Sequence, residues 1–207
     1  MSASLIGRVM KIVAGTYHVE LDGQIEECSL RGRVKQKDER FVSVGDLVRI
    51  EKPGDDSSRI HELLPRHSAL TRHGVARRRE QVIVANVDQV AVVVSVTRPD
   101  PDYSMVDRLL ALSELNELDG LLIVNKADLG APADFSPYEN AGYEVLLTSA
   151  TDGTGLDSLR NRLTGRITVF SGPSGVGKSS LLNALMPGLD LRVGQVGERK
   201  GRGRHTT

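Results

Sequence analysis

Gly172-Pro173-Ser174-Gly175-Val176-Gly177-Lys178-Ser179 follows the apolar run Ile167–Phe170 and leads into Lys178–Leu185, whose leucines recur at helical spacing. Glycine, four residues, glycine, lysine and serine between a strand and a helix is the pattern of a phosphate loop. The glycines let the backbone wrap an anion where a Cβ would clash. Successive N–H groups and the helix N-terminus then face the phosphate. In that arrangement Lys178 reaches the β- and γ-phosphates of a nucleotide and acts on the transferred group, while the Ser179 hydroxyl ligates Mg²⁺. The nucleotide-binding stretch is read as Gly172 through Ser180.

Two further motifs lie upstream. Asn125-Lys126-Ala127-Asp128 ends the strand Leu121–Val124, and Thr148-Ser149-Ala150 ends the strand Tyr143–Leu147. The Asp128 carboxylate only accepts hydrogen bonds. Guanine presents an N1–H beside its exocyclic amine, a pair that one carboxylate takes and that adenine lacks. A site built this way can reject the wrong base by roughly 10⁴–10⁵. The Lys126 stem can cover a face of the base, and Asn125 can tie this loop to the phosphate loop. Backbone N–H groups of Thr148, Ser149 and Ala150 are candidates to donate to the guanine O6. Three such loops at the C-terminal ends of parallel strands make one crevice. The reading is GTP or GDP with Mg²⁺.

The rest of the chain supplies the frame. Its 207 residues are 39% hydrophobic and 26% charged, which suits buried cores. No apolar run approaches a membrane span, and no basic segment followed by an apolar stretch opens the chain. Cys28 is the only cysteine, which excludes intrachain disulfides and cysteine-based zinc sites and fits the cytoplasm. The net charge is zero, but unevenly spread: residues 1–79 carry 15 Lys/Arg against 11 Asp/Glu, 80–191 carry 7 against 15, and 192–207 carry 5 against 1. Basic ends around an acidic middle point to an anionic partner held at the ends. With four Tyr, three Phe and no Trp, contact with a nucleic acid would rest on phosphates more than on stacking.

Residues 1–65 read as five short strands, Gly7–Ala14, Tyr17–Leu21, Ile25–Leu30, Leu47–Glu51 and Arg59–Leu64, with Asp22-Gly23 as a hairpin turn. They predict a five-stranded β-barrel of the oligonucleotide-binding (OB) type, with an SH3-like barrel the alternative. Residues 66–81, rich in arginine, read as a basic linker. Arg31, Arg33, Arg66, Arg72, Arg77 and Arg78 are the candidate RNA contacts. Residues 82–207 alternate strands and helices, among them the buried run Val90–Val96 and the helix Tyr103–Leu118, which predicts an α/β domain with a parallel sheet.

The motif order departs from the ordinary P-loop GTPase, where the phosphate loop comes first: here the base-reading motifs precede it, as in a circularly permuted chain. With Leu64-Pro65-Arg66, Ala85-Asn86-Val87-Asp88-Gln89, Val106-Asp107-Arg108 and Gly203-Arg204-His205-Thr206-Thr207, the chain resembles the ribosome small-subunit-dependent GTPase A family, the circularly permuted YjeQ/RsgA-type GTPases. That resemblance implies an OB domain and a circularly permuted P-loop GTPase domain. It implies GTP hydrolysis stimulated by the small ribosomal subunit, contact with 16S ribosomal RNA, and a role late in subunit maturation. It places the switch I threonine on Thr206 or Thr207, with Thr207 favoured as catalytic and either helping to hold Mg²⁺. The family's DxPG segment and its zinc-binding domain would follow residue 207. The expectation is therefore a C-terminally incomplete domain, weak or inactive in turnover, monomeric, with the phosphate-loop strand as a sheet edge and no Zn²⁺ ligand in this chain. The other reading is an RNA-binding assembly module in which the guanine nucleotide is a structural ligand.

Other candidates are plainer. The five histidines show no metal-ligand spacing, although His205 sits beside the threonines. Asp152-Gly153-Thr154-Gly155 fits DxxG but reads as a turn. Arg192–Arg204 reads as a switch loop rich in glycine and arginine.

Overall fold

Asp22 and Gly23 hold φ values of 50° and 83°, and this turn folds β2 (Thr16–Leu21) back onto β3 (Gln24–Leu30). Paired positive φ angles match the right-handed twist of the flanking strands. The structure is a computed structural model and describes residues 5–30, 41–52, 58–73, 80–189 and 191. β1 (Leu5–Val13), β4 (Leu47–Glu51) and β5 (Ser58–Leu63) close the barrel in the order β1-β2-β3-β5-β4. All its neighbours run antiparallel except β3 and β5. This is the five-stranded OB-type barrel. Period-two alternation turns Val9, Val19, Val48, Ile50 and Ile60 inward to a core that also holds Cys28. Each such aliphatic side chain contributes about 2 kcal/mol by leaving water.

The chain divides into two compact units, Met1–Val87 and Asp88–Thr207. Within the first, the stretch read as a basic linker is partly strand: β6 (Ala69–His73) pairs antiparallel with β7 (Glu80–Ala85). Tertiary bonds override the charged composition there. The Ala85 N–H donates to Val44 O, Asn86 Nδ2 donates to Gly45 O, and the His67 N–H donates to Asn86 Oδ1. Gly45 allows the approach, since a Cβ there would lie 2.0 Å from Ala85 O. Arg66 is the strongest tie. Its Nε and Nη2 donate to the two carboxylate oxygens of Asp46 at 2.6 and 2.7 Å, and Nη2 also reaches Phe41 O. Asp46 is fully buried, and its bond raises the Arg66 pKa further.

The second unit is a parallel sheet in the order β10-β9-β8-β11, formed by β8 (Gln89–Ser95), β9 (Asp119–Asn125), β10 (Glu144–Leu147) and β11 (Thr168–Ser171). β8 is buried at every residue, as a central strand covered on both faces must be. Ala91, Val93, Leu121 and Ile123 face α3 (Leu156–Leu163) and α4 (Lys178–Leu185), through Leu159, Leu181 and Leu185. On the other face lies α1 (Tyr103–Leu115), with Val106 and Leu110 buried against β8 and β9. It begins with the Asp102 carboxylate accepting the Met105 N–H and ends at Leu115, capped by Asn116, three residues short of the expected end. A short helix, α2 (Ser136–Asn140), precedes β10. β11 has β8 on one side and, among the described residues, no strand on the other.

Removing one partner of a buried ion pair leaves the other charge uncompensated. Asp46→Ala is therefore expected to lower the unfolding free energy of the first unit by about 3 kcal/mol, read from urea melts.

Candidate nucleotide site

β8, β9 and β11 are parallel, so the loops leaving β9, β10 and β11 emerge at the same end of the sheet. Asn125, the last residue of β9 and almost wholly buried, joins them. Its Nδ2 donates to Val176 O of the phosphate loop at 2.8 Å, and its Oδ1 accepts from Thr148 Oγ1 at 3.3 Å. The Ala127 N–H donates to Thr148 O. One amide side chain, reading outward from the sheet, thus links all three motifs.

The phosphate loop is shaped by glycine where nothing larger fits. Gly172 has φ 148°, and a Cβ there would lie 2.1 Å from Val93 O. Gly177 has φ 95°, and its Cβ would meet Asn125 Nδ2 at 2.4 Å. Val176 is buried in the core and anchors the loop from beneath. Gly175 turns at φ 85°, and α4 starts at Lys178, so Ser179 and Ser180 sit in its first turn, with Pro173 and Ser174 half-buried in the approach. Lys178 Nζ donates to Gly172 O at 2.9 Å and to Pro173 O at 2.7 Å, which holds the ammonium over the loop. Burial pushes its pKa below the usual lysine range. An anion in the loop reverses that bias, because opposite charge favours the protonated form.

The base-reading side has a different character. Lys126 stands at φ 63°, its ammonium bonds to Arg98 O, and burial lowers its pKa against the pull of Asp128. The Asp128 carboxylate is exposed, and one oxygen accepts from Ser149 Oγ at 2.7 Å. The expectation that all of Thr148, Ser149 and Ala150 offer free N–H groups is narrowed. The Thr148 N–H donates to Val124 O and the Ser149 N–H to Thr154 O. Ala150 alone of the three has no acceptor for its N–H among the described residues. Ser149 Oγ instead accepts from the Thr151 and Asp152 N–H groups and shapes the turn into α3. Asp152 closes that turn by accepting from the Thr154 N–H, so the DxxG match is a local turn.

Arg66 is held by Asp46, which removes it from the free cations read as RNA contacts. Arg72 is exposed, bonds to Gln81 Oε1, and forms no ion pair among the described residues. Arg31, Arg33, Arg77, Arg78, Thr206 and Thr207 lie outside the described residues. Sequence reading missed the Arg98 carbonyl that positions Lys126, since a backbone acceptor leaves no mark in residue type. Among the described residues no group of three or more His, Cys, Asp or Glu could hold a metal ion. No helix there is long and apolar enough to cross a membrane.

Comparison with known proteins agrees with this geometry. Residues 63–207 match the RsgA GTPase family and residues 6–60 the RsgA N-terminal domain. The chain is 42% identical over 207 residues to the small ribosomal subunit biogenesis GTPase RsgA of Moorella thermoacetica, covering 97% of this chain and 67% of that protein. To the RsgA of Gemmatimonas aurantiaca it is 42% identical over 217 residues, covering all of this chain and 71% of that one. Among solved structures, YjeQ from Thermotoga maritima aligns with a TM-score of 0.72 at 33% identity, over 97% of this chain and 73% of its own. YloQ, described as a circularly permuted GTPase, aligns with a TM-score of 0.66 at 30% identity, over 97% and 70%.

Asn125→Ala would leave the Val176 carbonyl without its partner and free the loops from one another. It is expected to weaken GDP binding at least tenfold and to cost about 2 kcal/mol of stability, read by calorimetry and by urea melts.

Proposed function

The chain belongs to the RsgA GTPase family, and on that premise we propose that it binds GTP and GDP in the crevice joined by Asn125 and hydrolyses GTP in the late maturation of the small ribosomal subunit. The observation that carries this reading is the pair of Asn125 bonds, which bring the phosphate loop and both base-reading loops to one site. Asp128 takes the guanine N1–H and amine, the Ala150 N–H donates to O6, and the Lys126 stem lies along the base. Backbone N–H groups of 174–179 and the start of α4 surround the phosphates, and Lys178 neutralises charge on the transferred group.

The donors here fit Mg²⁺ in the way nucleotide sites usually do. Ser179 offers one hydroxyl beside the phosphate cradle, and a hard cation takes its remaining ligands from phosphate and water. Thr206 and Thr207 are the further ligands we assign to it. When bound, the ion supplies charge neutralisation on the β- and γ-phosphate oxygens. Thr207 is the residue we assign to the γ-phosphate.

For the partner we propose 16S ribosomal RNA within the small subunit, held by the barrel unit through Arg31, Arg33, Arg72, Arg77 and Arg78. The subunit would stimulate turnover, and the protein would act as a monomer in the cytoplasm. Arg66 is left out because breaking its bond with Asp46 would cost more than an RNA phosphate returns. Support for the RNA reading comes from the positive balance of residues 1–79 and from the barrel class, which commonly binds oligonucleotides.

Titration of the purified chain with GTP, GDP and ATP tests the nucleotide reading. Guanine nucleotides should bind at least 10³-fold more tightly than ATP. In Asp128→Asn the amide presents an N–H where the carboxylate accepted, so guanine affinity should fall about 100-fold while xanthosine nucleotides gain. Equal binding of GDP and ATP would overturn the assignment. For the RNA reading, affinity for 16S fragments should fall steeply with added salt and fall further in Arg72→Ala.

A further inference from the structure

Away from the nucleotide loops, α1 and α2 border an open groove of about 830 Å³ whose lining is mainly apolar. Tyr103, Asp107, Ala111, Glu114 and Leu115 are exposed and recur at three- to four-residue spacing, so they share one face of α1. Leu115 is 81% exposed and Tyr103 40%, unusual for large apolar groups with a neighbouring helix so near. Across the groove, Tyr138 stacks on Tyr103 at 6.5 Å with their rings 7° apart, and Phe135 packs tilted against both.

Three carboxylates, Asp107, Glu114 and Asp134, line this apolar floor. The Tyr138 hydroxyl donates to Asp107 at 2.8 Å, and burial together with the nearby Glu114 carboxylate raises the Tyr143 pKa. Among the described residues no lysine or arginine pairs with any of the three, whereas nearby Asp119 and Glu144 are each neutralised by arginine. A second, polar groove of about 470 Å³ shares Glu114, Ala141 and Tyr143 with the first and adds Glu117, together with Asp119 and Glu144, which Arg162 of the same groove pairs. Negative charge is thus held over an aromatic and aliphatic floor about 20 Å long, the length of α1.

We propose that the α1–α2 groove docks a basic, amphipathic segment of a protein partner, with aliphatic anchors in the Tyr103–Leu115 floor and arginine or lysine against Asp107, Glu114 and Asp134. Arginine suits both parts of the surface, since its plane stacks on tyrosine while its N–H fork takes a carboxylate. RNA and anionic lipid are disfavoured by the same carboxylates, as is an acidic peptide. A carboxylate rim steers association and selects the partner, and the apolar floor holds it. This docking is independent of the nucleotide assignment.

The probe is a synthetic 14-residue peptide with leucine at helical spacing and arginine elsewhere, titrated into the labelled chain and followed by amide NMR at 0.15 M salt. Its counterpart with glutamate for arginine and a 14-nucleotide single-stranded RNA serve as competitors. Shifts should centre on Ala111, Glu114, Leu115, Tyr138 and Tyr143. Leu115→Asp and Glu114→Lys should each weaken binding roughly tenfold or more, and Asp157→Lys on α3 should leave it within about twofold. GDP affinity and the melting temperature, read on the same samples, should hold in Leu115→Asp and Glu114→Lys. Were either variant to misfold, the other carries the test. Absence of binding, shifts spread over the acidic surface, or equal binding of the glutamate peptide or the RNA at the groove would overturn the proposal. So would a dimer in sedimentation that Leu115→Asp dissolves, because the groove would then receive a second copy of this chain.

Discussion

The Asn125 side chain is the constraint on which the nucleotide crevice depends. An amide offers a donor and an acceptor from one rigid group, and here they reach the Val176 carbonyl and the Thr148 hydroxyl. Buried hydrogen bonds of this kind are costly to leave unmade, so the two loops are held in mutual register more firmly than exposed loops usually are. Gly177 completes the arrangement, since any side chain there would occupy the space the amide needs. The polar groups proposed to meet the nucleotide, Lys178, Asp128 and Ala150, are placed by this junction and by the parallel strands beneath it.

The same logic works on the barrel unit with charge in place of an amide. Arg66 and Asp46 join the segment after β5 to the loop before β4, and Asn86 fastens β7 to the same loop. A run rich in arginine is thereby partly consumed in structure. Its remaining cations are the ones proposed to meet RNA.

Charge is distributed with a purpose that the net value of zero conceals. The second unit is acidic, yet a phosphate cradle of the kind proposed needs only one lysine, because backbone N–H groups can carry most of the anion binding. The surplus carboxylates are free to serve elsewhere, and several line the α1–α2 groove over exposed aromatic rings. On the proposed assignments, one domain would recognise an anion through backbone dipoles and a cationic partner through a separate groove.

Much of this protein was legible from residue order alone. The phosphate loop, the Asn125–Asp128 and Thr148–Ala150 motifs, the hairpin at Asp22-Gly23 and the buried run of β8 are local patterns, and local backbone chemistry constrains them whatever lies nearby. Their permuted order and the flanking motifs also pointed to the family. Folding in three dimensions decided what distant residues do to one another. It paired Arg66 with Asp46 twenty positions away, paired 69–73 with 80–85 as antiparallel strands within the stretch read as a linker, and left Ala150 as the one N–H of three neighbours without an acceptor among the described residues. It also assembled a groove from two helices more than twenty residues apart. A side chain's type states what it can bond; only the packed chain determines which of those bonds are already made.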